Sequence, residues 1–268
     1  MSPGPERALA DELRATLGAA RAWLAEWLEE GGEASLAPAA APAVQGPPPP
    51  RRTTGLVPRS EAQPGEARSV GDLFALARSG PRPTLEEVRA RLGDCRRCPL
   101  CEGRSQIVFG DGNPDADLLF VGEGPGAEED KRGLPFVGRA GELLTRMIER
   151  GLEIPRSEVY ICNIVKCRPP GNREPAPHEV ASCRPFLDQQ IDAVAPRVIV
   201  ALGRPATSVL LGRDVSITRV RGVWHEYRGI PVMPTFHPAF ILRQYTEENR
   251  RLVWQDLRAA LARARAEG

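Results

Sequence analysis

The sequence predicts an α/β fold: a short, mainly parallel sheet of four strands with helices covering both faces. Two observations carry this. First, from about residue 84 onward, short apolar runs alternate with helical patterns, and strands buried on both faces read as near-continuous hydrophobic runs. Second, each apolar run leads into a glycine-rich or polar segment. These are Gly122-Glu123-Gly124-Pro125-Gly126, then Asn163 with Lys166-Cys167-Arg168, then Leu202-Gly203, then Phe236-His237-Pro238. Ligands of open parallel sheets bind beyond the carboxyl ends of the strands, so these segments predict a cleft at one edge.

The elements follow in order. Residues 1–32 read as an amphipathic helix, because Leu9, Leu13, Leu17, Ala20, Leu24 and Trp27 recur at three- and four-residue steps before Gly31-Gly32. It either folds back onto the rest of the chain or docks on a protein partner. Residues 33–82 are rich in Pro, Ala and Gly and lack the apolar side chains needed to offset ordering entropy, so a disordered linker is expected. The folded domain is placed at 83–268. Thr84 and Glu87 have capping-box spacing, opening a helix that Gly93 ends. Strands are expected over 117–121, 159–165, 197–202 and 232–236, the last after a hairpin across 217–231. Helices are expected over 140–150, 180–194 with a break at Pro185, 206–211 and 252–262.

Composition narrows the function classes. The chain has 268 residues with 36 basic and 35 acidic side chains, a balance that neither demands nor excludes nucleic acid. No apolar run is long enough for a membrane span, and the N-terminus lacks the basic-then-apolar pattern of a secretory signal. A cytoplasmic monomer is the expectation. Six cysteines in such a chain favour metal ligation or burial over disulfides.

The cysteines fall in a pattern. Cys95 and Cys98 are separated by two residues, and Cys167 and Cys183 by fifteen. One loop can present the first pair to a metal centre and the second pair can complete four thiolates, for structural zinc or an iron–sulfur cluster. Cys101 extends the first pair into a ferredoxin-like run, while Cys162 sits inside a strand and reads as a buried apolar residue. A helix opened by Pro185 would put Cys183 near its N-terminus, where the dipole favours a thiolate.

The segments at the sheet edge carry the remaining chemistry. Glycines at 122, 124 and 126 allow close approach of backbone amides to a ligand. Phe136, between Pro135 and the turn at Gly138, can stack on a flat heterocycle. Asn163 can offer a donor and an acceptor to a base edge. His237 stands at the end of the fourth strand beside the apolar tip Ile241-Leu242.

Together GEGPGAEED, GLPFVGRAGELL, NIVKCRPP and FHPAFILR, with the cysteine pairs in this order, resemble the family 4 iron–sulfur uracil-DNA glycosylases over about residues 84–262. The resemblance implies a three-layer α/β/α fold, excision of uracil from single- or double-stranded DNA in base-excision repair, and a 4Fe–4S cluster on Cys95, Cys98, Cys167 and Cys183. It implies that Phe136 stacks on the flipped-out uracil and that Asn163 reads its O4 and N3–H. His237 would donate to O2 as charge builds on the leaving base. Gly124, Pro125, Gly126 and Glu129 would line the base site, with Glu123 or Glu129 crowding the 5-position. Ile241 and Leu242 would wedge the gap left by the base, with Arg243 on phosphate and Arg168 a further DNA contact. Many uracil glycosylases have an Asp where this chain has Gly124, so Glu123 becomes the candidate to position water. A non-catalytic nucleic-acid binder and a nucleotide hydrolase are the rival readings; the second lacks the Gly-Lys-Ser/Thr ending of a phosphate loop.

Overall fold

The computed structural model describes residues 82–266. The helix expected over 1–32 and the linker over 33–82, save its last residue, lie outside the described residues. The domain opens as expected, with α1 (Leu85–Leu92). The Glu87 amide donates to Thr84 Oγ1 at 3.1 Å and the Thr84 amide to Glu87 Oε2 at 2.8 Å, satisfying free donors of the first turn. A single turn, α2 (Leu100–Gly103), follows the first cysteines.

The sheet has six strands rather than four. In chain order they are β1 (Asp111–Gly112), β2 (Leu118–Gly122), β3 (Tyr160–Asn163), β4 (Val198–Leu202), β5 (His225–Tyr227) and β6 (Ile230–Thr235). Their order across the sheet is β1-β3-β2-β4-β6-β5. The four expected strands form its parallel centre, and β1 and β5 add antiparallel edges. Both edge strands are too short or too polar to stand out as apolar runs. The expected hairpin is confined to β5 and β6, while Ile217–Val220 forms a helical turn.

Helices α3 (Ala127–Arg132), α4 (Arg139–Arg146), α5 (Pro177–Val194) and α6 (Gly203–Leu211) alternate with the parallel strands, and the turn at Ile217–Val220 is α7. The chain ends in α8 (Pro238–Arg243) and α9 (Glu247–Ala266). Leu187, Ile191 and Val194 of α5 and Ala206 and Leu210 of α6 pack with Leu119, Val121, Cys162, Ile199, Ala201 and Val232 of the sheet in one core. Strand alternation sends Phe120, Val200 and Met233 to the opposite face, and α9 packs against β2, β4 and β6. The result is the expected three-layer arrangement.

One helix corrects its prediction. α5 runs unbroken through Pro185. Pro185 and Ala181, whose carbonyl loses its partner, are both exposed, so the break in the hydrogen-bond ladder falls on the solvent side, while buried Cys183, Phe186 and Leu187 anchor the helix on either side. Cys183 therefore lies two turns inside α5, not at a helix N-terminus. Among the described residues no helix is long and apolar enough to cross a membrane.

Candidate active site and cysteine centre

The parallel register assembles the pocket. Gly122, the last residue of β2, pairs with Asn163, the last of β3; Leu202 of β4 pairs with Thr235 of β6. Phe136, Asn163 and His237 meet at this edge. A Cβ on Gly122 would collide with Asn163 Oδ1 and come within 2.5 Å of the tip of the Phe136 ring. Glycine at 122 is thus what lets these two side chains share one site. Gly203, at φ +84°, plays the same part beneath His237, whose Cβ would lie 3.0 Å from a Cβ there. The Phe136 and His237 ring centroids are 5.6 Å apart with a 33° tilt.

Each of the three side chains is held in a distinctive state. Asn163 is buried at 1% exposure, and its Oδ1 has no hydrogen-bond partner. An unsatisfied buried acceptor costs about 1–3 kcal/mol, so this atom is an acceptor awaiting a donor. Phe136 is a buried, non-glycine residue at φ +53°, a backbone state that costs on the order of 1–3 kcal/mol and clusters at functional sites. His237 caps α8, its Nδ1 accepting from the Ala239 amide at 3.1 Å. That bond leaves the proton of the neutral ring on Nε2. Burial, with help from the positive charge of Arg243 and against Glu129, pushes the His237 pKa down from 6.5 to about 4. The ring is a neutral donor at physiological pH.

Supporting contacts explain the geometry. Glu129 Oε1 accepts from the amides of Val137 and Gly138 at 2.9 and 2.8 Å, and Oε2 from Gly126 at 3.1 Å. Its carboxylate ties the glycine loop to the Phe136 turn, so it braces Phe136. Gly124 packs on Val165, where a Cβ would meet Cγ2 at 2.9 Å, and Pro125 is buried beside it. Glu123 is half-buried; burial first, then Glu174, raises its pKa against the opposing pull of Arg204 and Arg243. Buried Asp256 of α9 accepts from Thr235 Oγ1 at 2.7 Å and pairs with Arg221. It fixes the end of β6 two residues before His237.

The proposed DNA-facing residues divide. Ile241 is 0% exposed, because α8 turns it onto the core, so it is not available as a wedge. Leu242 is partly exposed and Arg243 exposed, leaving them as the outward tip. Arg168 is half-buried and donates from Nε to Asn172 Oδ1 at 2.8 Å, bracing the turn at Pro170–Asn172.

On the other side of β3, Cys95, Cys98, Cys101, Cys167 and Cys183 line a single cavity with Arg97, Arg104 and Lys166. Arg97 Nη1 donates to Cys95 Sγ at 3.2 Å, and Arg104 Nη1 to Cys167 Sγ at 3.3 Å and the Cys95 carbonyl at 2.6 Å. Among the described residues, no group of three or more His, Cys, Asp or Glu side chains is placed to hold a single metal ion. Cys162 is fully buried within the sheet core, as expected. Lys166 joins the two regions: it is 1% exposed, lines the cysteine cavity, and donates from Nζ to the Asn163 carbonyl at 2.7 Å. Sequence reasoning did not single out Lys166, Arg97 and Arg104 as lining this cavity; the available signal was a cation beside Cys167 and another between Cys95 and Cys98.

The profile of the uracil DNA glycosylase superfamily matches residues 109–258. The chain belongs to that superfamily. A type-4 uracil-DNA glycosylase of Thermotoga maritima is 50% identical over 186 residues, 69% of this chain and 96% of its own length. Type-4 uracil-DNA glycosylases of Sulfurisphaera tokodaii and Saccharolobus solfataricus are 44% and 42% identical, covering 65% of this chain in each case and 82% and 83% of their own lengths. The superfamily assignment spans both β2 and β6, and with them all three pocket side chains.

Proposed function

We propose that the protein is a uracil-DNA glycosylase of the type-4 kind, hydrolysing the N-glycosidic bond of a flipped-out deoxyuridine and leaving an abasic site for base-excision repair. The observation that carries this is the buried, unpartnered Oδ1 of Asn163 facing a site shared with a stacking ring and a neutral histidine. Uracil presents an N3–H donor to such an acceptor; cytosine has no hydrogen at N3. Phe136 stacks on the base. His237 Nε2–H donates to O2 as negative charge develops on the leaving uracil, an interaction worth most in a site closed to water. Glu123, its pKa raised by burial, is the candidate to orient the attacking water. Leu242 fills the gap left by the base, with Arg243 and Arg168 toward phosphate.

The same reading places a 4Fe–4S cluster on Cys95, Cys98, Cys167 and Cys183. The fit is favourable: the four thiols surround one cavity and guanidinium groups reach two of them, a four-thiolate set of the kind that holds an iron–sulfur cluster or, in the alternative reading, a structural zinc ion. When bound, the cluster supplies a covalent tie between the segment before the sheet and α5. We assign the protein as a monomer of the cytoplasm, a compartment that keeps such thiols reduced, with residues 1–32 as a candidate docking segment for a protein partner.

The test is incubation of purified protein with an oligonucleotide bearing one uracil, followed by alkaline cleavage, beside a matched thymine control. Uracil-dependent cleavage is expected. No cleavage by protein with an intact chromophore would favour the non-catalytic binder.

A further inference from the structure

We propose that Cys101 is a reserve ligand of the cysteine centre, able to replace Cys98. The inference rests on the cluster reading above but concerns a residue that reading leaves without a role. Cys101 lines the same cavity as the four assigned ligands. It follows Cys98 by three residues, and its amide donates to the Cys98 carbonyl at 3.2 Å, closing a turn that runs into α2. Residues three apart in such a turn project to the same side. Buried Leu100 anchors this turn in the core, while Cys98 and Cys101 are both only partly buried, so either sulfur has room to adjust. Cys162 offers a contrast: it is fully buried in β3, packs in the sheet core and does not line the cavity.

The exchange involves no redox change. The Cys101 thiol releases its proton to solvent, and its sulfur makes the bond to iron that Cys98 would have made. Cys183 has no such substitute on its own element, since it is buried in α5 and no other thiol lies on that helix.

Four variants of the full chain test this by iron content and visible absorption, readouts independent of excision. Cys98→Ser is expected to fold and keep most of its iron, and Cys101→Ser alone to keep all of it. The double variant Cys98→Ser/Cys101→Ser is expected to lose iron, as is Cys183→Ser. If Cys98→Ser is empty or insoluble, or if the double variant keeps its iron, the reserve role is overturned. Loss of iron in Cys101→Ser alone overturns it too, by making Cys101 an obligatory ligand. Wild-type protein that never carries iron overturns the cluster reading itself, a separate failure.

Discussion

The base pocket and the cysteine centre lie at the two ends of one short segment, Asn163 to Cys167, yet they are held in opposite ways. The pocket is fixed by elements complete in themselves: in-register strand ends, glycines that make room for rings, a carboxylate on three amides, and a histidine locked by its own cap. The cysteine side joins short turns and a small satellite cluster of Val88, Leu92, Phe109 and Phe186 to the main core, which Leu100, Cys167 and Cys183 enter, and it sets guanidinium groups against its thiols. A preorganised pocket needs no added group to take shape. The cysteine side is where we propose one binds, and Lys166, which lines its cavity and donates to the Asn163 carbonyl, links the two regions.

The largest expected effect comes from breaking the cysteine side. Cys167→Ser should lose iron and, with it, lower the melting temperature of the domain, since the binding free energy of a structural metal centre adds to folding stability. Limited proteolysis should cut the segment before β1 first. A variant that loses iron but melts like the wild type would mean that the sheet core holds that segment unaided.

His237→Ala comes next and should act on the pocket. Excision is expected to fall on the order of 10²–10³-fold, with iron content unchanged and only the modest loss of stability, about 0.5–2 kcal/mol, that follows removal of a helix cap. Equal losses in DNA binding and turnover would make His237 structural. Its pH dependence is specific: because folding lowers its pKa from 6.5 to about 4, the unfolded chain binds more protons between those values. Its contribution to stability is therefore complete above about pH 6.5 and is lost as pH falls toward 4. Urea melts across that window check the sign, and the excision rate should show no histidine titration between pH 6 and 8.

How each region could be read from the sequence follows the same division. The gathering of the cysteine pairs at one cavity was legible from their spacing, as was the capping box at Thr84 and Glu87. The carboxyl-edge cleft was legible because four apolar runs led into polar or glycine-rich segments. Orientation was not legible. FHPAFILR gives Ile241 and Leu242 equal claims to an exposed tip, and only the docking of α8 buries the first. Glu129 reads as a free acid until the fold brings three amides to it. The continuity of α5 through Pro185 is likewise a tertiary outcome, as packing on both sides outweighs one lost backbone bond. Edge strands β1 and β5 escaped notice because their hydrogen bonding, not their hydropathy, defines them.

Glu129→Gln sharpens the bracing role of that residue. Glutamine keeps one acceptor oxygen where the carboxylate had two, so at least one of the three amides faces a donor. Hydrogen bonds to charged groups contribute about 1.5–3 kcal/mol, and only part of that should reach the reaction. A roughly tenfold fall in kcat/KM is expected, through poorer placement of Phe136. Discrimination against thymine should not change. Relaxed discrimination would place Glu129 in the wall of the base site.

The smallest effect, and the one that best separates two roles for one residue, is expected for Arg243→Ala. Arg243 is exposed at the end of α8, and its charge also depresses the His237 pKa. As a phosphate contact, its loss should weaken DNA binding a few-fold at low salt and reduce the slope of log affinity against log salt by about 1. As a neighbour of His237, its loss should let the imidazole pKa rise, moving the acid fall-off of excision to higher pH. Burial is the larger cause of the shift, so that movement should be small. An unchanged salt slope with a displaced acid limb would remove Arg243 from the DNA interface and leave it acting only on the pocket. A reduced slope with no displacement would assign it to DNA alone and leave burial to keep His237 neutral.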